Sequence, residues 1–186
     1  MKKILKPKLL AIAYAMILLA PGAFAQEHKW AGRTLDELEW AIHDRLAALP
    51  FHGVFDTLRF EAHDGTVTLT GQVVKESIRH NAERAVSRIA GVDKVVNRVE
   101  VLPSSRQDDA LRMNVYRAIY EKAPLDRYGA RDLPPIHIIV KNGAVSLEGV
   151  VDSDADRTLA YTRALQVTAH LSENLRVAPQ QAGESR

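Results

Sequence analysis

One nine-residue pattern occurs twice in this chain. The first copy is His63-Asp64-Gly65-Thr66-Val67-Thr68-Leu69-Thr70-Gly71. The second is Lys141-Asn142-Gly143-Ala144-Val145-Ser146-Leu147-Glu148-Gly149. Asp-Gly and Asn-Gly are the dipeptides of the two-residue type I′ turn, in which both central residues need positive φ. The Val-x-Leu that follows puts two apolar side chains on one face of a strand. Each copy therefore reads as the bend and second strand of a β-hairpin, and the near-identity of the two points to an internal duplication.

The flanking sequence extends the repeat to a whole unit. Residues 34–103 begin with Thr34 and Glu37, a capping-box pair. Leu35, Leu38, Ile42, Leu46 and Leu49 then recur at helical spacing up to Pro50. The loop Phe51–Phe55 carries three apolar residues that are expected to fold onto the core. The alternating Leu58–Ala62, the hairpin, a helix over about 75–90 stopped by Gly91, and a strand through Val101 complete the order α-β-β-α-β. Residues 108–178 repeat that order: a helix with Leu111, Val115 and Ile119, capped by Asp108 or Asp109; the strand Ile136–Val140; the second hairpin; a helix over 154–169; and a last strand, Leu171–Val177. A polar linker at 104–107 joins the units, and 179–186 reads as a disordered tail. The second unit carries an insertion at 125–135, since Ile119 to Asn142 spans 23 positions against 18 from Leu46 to Asp64.

Residues 1–25 are of a different kind. A basic start from Lys2 to Lys8 precedes an apolar run, Leu9–Ala20, a Pro21-Gly22 break and the small-residue site Ala23-Phe24-Ala25. This is the pattern of a secretory signal peptide, and a run of about 12 apolar residues is short of the roughly 20 that span a bilayer. The expected location is the periplasm, with no transmembrane span after cleavage. The sequence has no cysteine, which excludes a lipid anchor at the cleavage site, disulfides and a thiolate metal site. The formal charge of +2 belongs to that segment. Without its four lysines, 21 bases face 23 acids, a charge of −2, which argues against a nucleic-acid partner.

These residues resemble the BON domain family. The match runs through Asp64-Gly65-x-Val67-x-Leu69-x-Gly71, the helix with Arg79, Ala82 and Ala85, and Gly91-Val92-x-x-Val95-Val96-Asn97-x-Val99-x-Val101. It recurs in Asn142-Gly143-x-Val145-x-Leu147-x-Gly149 and Arg157. The resemblance implies an α+β fold of two tandem BON domains, each with two helices on a small three-stranded mixed sheet. Two such domains behind a signal peptide look like the osmotically inducible periplasmic proteins of the family. The implied role is peripheral binding of phospholipid membranes in support of envelope integrity or stress tolerance, without enzymatic activity. The alternative is an adaptor or chaperone-like module for envelope proteins.

The residues themselves point to no catalytic constellation. The seven histidines stand at scattered spacings without an HExxH or similar ligand pattern. Asp152, Asp154 and Asp156 lack the glycine and distal glutamate of a calcium loop and sit where a helix N-terminus favours acids. No metal and no cofactor is expected. Two segments suit an anionic surface. Tyr116, Arg117, Tyr120, Lys122, Arg127, Tyr128 and Arg131 interleave aromatic rings with bases, as at a membrane interface. His80, Arg84 and Arg88 form an i, i+4, i+8 stripe flanked by Arg79. The first segment is the preferred lipid-binding candidate.

Overall fold

The computed structural model describes residues 34–131 and 133–179. The expected signal peptide and the tail beyond Pro179 lie outside the described residues. Two α+β units follow one another. The first comprises α1 (Leu35–Ala47), β1 (Thr57–His63), β2 (Thr66–Val73), α2 (Glu76–Val86), β3 (Lys94–Asn97) and β4 (Glu100–Val101). The second comprises α3 (Arg106–Tyr120), α4 (Asp126–Gly129), β5 (Ile136–Lys141), β6 (Ala144–Val151), α5 (Asp154–Leu165) and β7 (Leu171–Val177).

The local signals act as their chemistry requires. The Thr34 hydroxyl accepts the Glu37 N–H at 3.2 Å while the Glu37 carboxylate accepts the Thr34 N–H at 2.9 Å, closing the capping box of α1. Asp64 and Gly65 have φ of 44° and 74°, and Asn142 and Gly143 have 52° and 79°, so both hairpins turn on two left-handed residues. β1 and β2 pair antiparallel from His63↔Thr66, and β5 and β6 from Lys141↔Ala144. α2 and α5 then carry the chain across each sheet to a parallel strand, giving mixed sheets ordered β1-β2-β3, with β4 also on β2, and β5-β6-β7.

Five details differ from expectation. The strand expected through Val101 is broken after Asn97. The Asn97 side chain accepts the Val99 N–H and donates to the Arg79 carbonyl, both at 3.1 Å, and so interrupts the strand at Arg98 and Val99, after which β4 resumes on β2 in the same register. In the second unit β7 runs unbroken along β6. α2 stops at Val86, where the Ser87 hydroxyl donates to the Arg84 carbonyl, and α5 stops at Leu165. α3 starts at Arg106, inside the stretch read as a linker, because Ser105 caps it. Asp108 does another job. Buried at 2% exposure, its carboxylate accepts the N–H groups of Asn142 and Gly143 at 2.9 and 2.8 Å and so ties α3 to the second hairpin turn. Finally, the insertion contains a helical turn, α4.

Each unit has its own core. Leu38, Ile42 and Leu46 of α1 and Ile78, Ala82 and Val86 of α2 pack on Val67, Leu69 and Val73. Val115 and Ile119 of α3 and Ala160 and Ala164 of α5 pack on Ile138, Val140, Val145 and Leu147. The units also meet. Val54 and Phe55, from the loop after α1, pack against the second core and not the first, and the Val54 carbonyl accepts the Ile138 N–H at 2.7 Å on the outer edge of β5. Ile139 points away from the second core by strand alternation, yet only 3% of it is exposed. The same face carries two ion pairs between the units, Arg59 with Glu148 and Lys141 with Glu100. Among the described residues no helix is long and apolar enough to cross a membrane.

Candidate functional site

The preferred tyrosine–arginine segment is built into the second unit. Tyr120 and Tyr128 are buried, at 5% and 0% exposure, and Tyr116 lies half-buried between the rings of Phe55 and Tyr120. The Tyr120 hydroxyl donates to the Ile136 carbonyl at 2.6 Å and accepts the Ile136 N–H at 3.0 Å, so it closes the start of β5. Burial pushes its phenol well above the ordinary range. The Tyr128 hydroxyl accepts the Asp152 N–H at 2.8 Å and donates to the Asp156 carboxylate at 3.1 Å, while the guanidinium groups of Arg127 and Arg131 lie 4.5 and 4.9 Å from the centre of its ring.

Asp156 is the hub of this cluster. Burial disfavours its carboxylate, but hydrogen bonds from Arg127, Ser153 and Tyr128 outweigh that and hold its carboxyl below the usual range. Ser153 in turn caps α5. Arg131 reaches Asp152 at 3.3 Å. The insertion is thus clamped to the N-terminus of α5, and the expectation of aromatic rings offered to a membrane does not match where these rings lie. Arg117 and Lys122 are exposed and stand apart from that cluster. The sequence misled because Tyr116 and Tyr120 sit one position beyond Val115 and Ile119, at the margin of the same apolar face. Tyr128→Phe is expected to lower stability by about 1–3 kcal/mol, since it leaves the Asp152 N–H unpaired and takes a donor from Asp156. Urea unfolding of the variant beside the parent measures this.

The secondary stripe is open. His80, Glu83, Arg84, Ser87 and Val95 line a shallow groove of about 600 Å³ between α2 and β3. The carboxylates of α2 are already engaged. Glu76 pairs with Arg79 at 3.2 Å and His80 at 3.0 Å, and Glu83 accepts from Asn97 at 3.1 Å. Arg84 donates to the neutral Asn81 amide. Among the described residues no carboxylate lies within 4 Å of Arg84 or Arg88. Arg84, in the last turn of α2, and Arg88, just beyond the end of the helix, are therefore available to an oxyanion.

A third feature, which the scattered histidine spacings hid, lies between the units. His52 of the loop after α1 stacks on His137 of β5, with ring centroids 6.2 Å apart and planes at 19°. Both ring nitrogens of His52 and Nδ1 of His137 are buried without a hydrogen-bond partner. Burial lowers the pKa of both, His137 further through its neighbour. His43, Leu133 and Phe60 help to line a small cavity of about 140 Å³ beside them. Among the described residues no three histidine or carboxylate side chains are placed to hold a metal ion.

The BON domain family model matches residues 36–103 and again 107–179. No curated protein sequence matches the chain. Several solved structures align with it, among them two of one protein. One is CdsD, a structural protein of the type III secretion system of Chlamydia trachomatis. It shows 17% identity and a TM-score of 0.30, over 76% of this chain and 61% of that one. The other is the C-terminal domain of CdsD from the same organism. It shows 12% identity and a TM-score of 0.27, over 77% and 63%. The chain thus spans less than two thirds of each of these two structures.

Proposed function

The chain belongs to the BON domain family, and from that premise we propose that it is a non-enzymatic periplasmic protein that binds anionic phospholipid peripherally through the outer face of α2. BON domains bind phospholipid, serve in the envelope and in stress, and occur in periplasmic proteins. The secretory pattern of residues 1–25 is consistent with export, and the tandem arrangement with the osmotically inducible members of the family. The observation that carries the reading is that Arg84, on an open groove, and Arg88, just beyond the end of α2, are exposed without carboxylate partners among the described residues. A phosphate headgroup supplies the charge that Glu76 and Glu83 do not. Such binding is peripheral and weakens as salt screens it.

Co-sedimentation with vesicles tests this. Binding is expected to anionic vesicles at low salt, to be weaker at high salt and to be absent from zwitterionic vesicles. Each basic side chain near a charged surface contributes about 1 kcal/mol, so Arg84→Glu with Arg88→Glu should lower the partition coefficient about tenfold or more. Absence of binding to anionic vesicles at low salt, or binding that ignores the double variant, defeats the proposal.

A further inference from the structure

The helical layer of the first unit is electrically two-sided. α1 carries Asp36, Glu37, Glu39 and Asp44 against Arg45 alone. Trp40 stands near the centre of its solvent face with 74% of its surface exposed. Helical spacing places Asp36, Glu37 and Asp44 around it, opposite the buried Leu38, Ile42 and Leu46. α2 packs beside α1, and the segment 75–88 that contains it carries the opposite sign: Lys75, Arg79, Arg84 and Arg88 against Glu76 and Glu83. Its groove has an apolar floor at Val95 and Arg84 on its wall. An exposed tryptophan ringed by acids and an open groove that carries Arg84 thus belong to one helical layer. A surface of this kind is complementary to itself. A two-fold axis lying in the plane between two such layers, along the seam of α1 and α2, lays α1 of one molecule on α2 of the other, and the same contact is made twice.

We infer that this face pairs with a second copy of the chain, the Trp40 indole of each molecule entering the α2 groove of the other beneath Arg84. A guanidinium over an indole is a favourable cation–π contact, and tryptophan and arginine are the side chains that dominate interface energies. Asp36, Glu37 and Asp44 face Arg84 and Arg88 across the pair, which gives orientation and salt dependence. The layer is small. A helix of 13 residues is about 20 Å long, so two helices present an area at the low end of specific interfaces, and the association should be weak, roughly micromolar. The pairing does not rest on the lipid reading. It uses the same arginines, so anionic vesicles and self-association compete.

Sedimentation equilibrium of the purified protein, without lipid, tests the pairing. A monomer–dimer equilibrium is expected at low salt, weakened tenfold or more at high salt and by Trp40→Ala, a substitution at an exposed site that leaves the core intact. Asp44→Arg and Arg84→Glu should each abolish it. The double variant Asp44→Arg/Arg84→Glu should restore it, as should a mixture of the two single variants. A monomer at all concentrations in low salt overturns the inference, as does a dimer that none of these substitutions weakens. A monomer in which Trp40→Ala impairs only binding to anionic vesicles overturns it in favour of a membrane as the occupant.

Discussion

Gly149→Ala is expected to destabilise the protein by about 4 kcal/mol or more, whereas Gly143→Ala, in the hairpin turn itself, should cost only about 1 kcal/mol. Gly149 sits at φ +123°, and a Cβ there would lie 1.9 Å from the Pro135 carbonyl oxygen. That oxygen cannot swing aside. It is backbone, at the entry to β5, and it accepts the Val150 N–H at 3.3 Å. Relief therefore requires separating β5 from β6 where Ile136 pairs with Gly149, next to the hydrogen bonds of Tyr120. Strain at such a φ adds a further 1–3 kcal/mol. Gly143, at φ +79°, has nothing within 4 Å of the same added atom and bears only the cost of a left-handed alanine. The first unit repeats the geometry: Gly71 has φ +122°, and its added Cβ would lie 2.1 Å from the Thr57 carbonyl oxygen. Urea unfolding followed by circular dichroism measures all three variants. A more damaging Gly143→Ala, or a Gly149→Ala within about 1 kcal/mol of the parent, would overturn this expectation.

The glycine that closes each copy of the motif is therefore where the strand crosses its neighbour most closely, and the duplicated pattern marked it. Local chemistry was legible in the same way wherever it depends on neighbours along the chain. The capping box at Thr34, the two turns, the alternation of Val67 with Leu69 and of Val145 with Leu147, and the strand Leu171–Val177 all follow from spacing. What spacing conceals is contact between distant segments. Asp108 reads as a cap because it opens a helix, but α3 carries it against a turn 34 residues away. Tyr120 and Tyr128 read as interfacial because bases surround them, and sequence does not tell which side of a helix a ring takes when polar groups of another strand await its hydroxyl. The Phe51–Phe55 loop reads as local packing, yet Val54 and Phe55 belong to the second core. In each case the partner lies in another element.

The joint between the units should weaken in acid, because it buries two imidazoles that cannot both be charged. His52 and His137 are stacked, three of their nitrogens have no partner, and burial holds both pKa values below the ordinary 6.5. Opening the joint returns them to water and to their ordinary values. Above about pH 6.5 both forms are neutral, and the joint keeps its full stability. As pH falls below that value and through the lowered ones, the open form binds protons that the closed form refuses, and stability is lost. The surrounding charges temper this loss. Asp56 and Glu148 each attract a charged His137, although Asp56 already accepts the N–H groups of Gly53 and Val74 and Glu148 already pairs with Arg59. Burial raises the Asp56 carboxyl, which the N–H groups of Val74 and Gly53, and then the charges of His137 and Lys75, oppose only in part. Its protonation favours the folded form, a contribution of the opposite sign that enters at lower pH. Thermal unfolding at pH 7.5 and pH 5.0 should therefore show Tm falling by several degrees in acid. The double variant His52→Phe/His137→Phe, which keeps two stacked rings and removes both titrating groups, should lose most of that fall and be the more stable protein at pH 5.0. An equal fall in parent and variant would place the acid sensitivity elsewhere. A fall in the variant alone would mean that the imidazoles are held by their charge, against the direction that burial gives them.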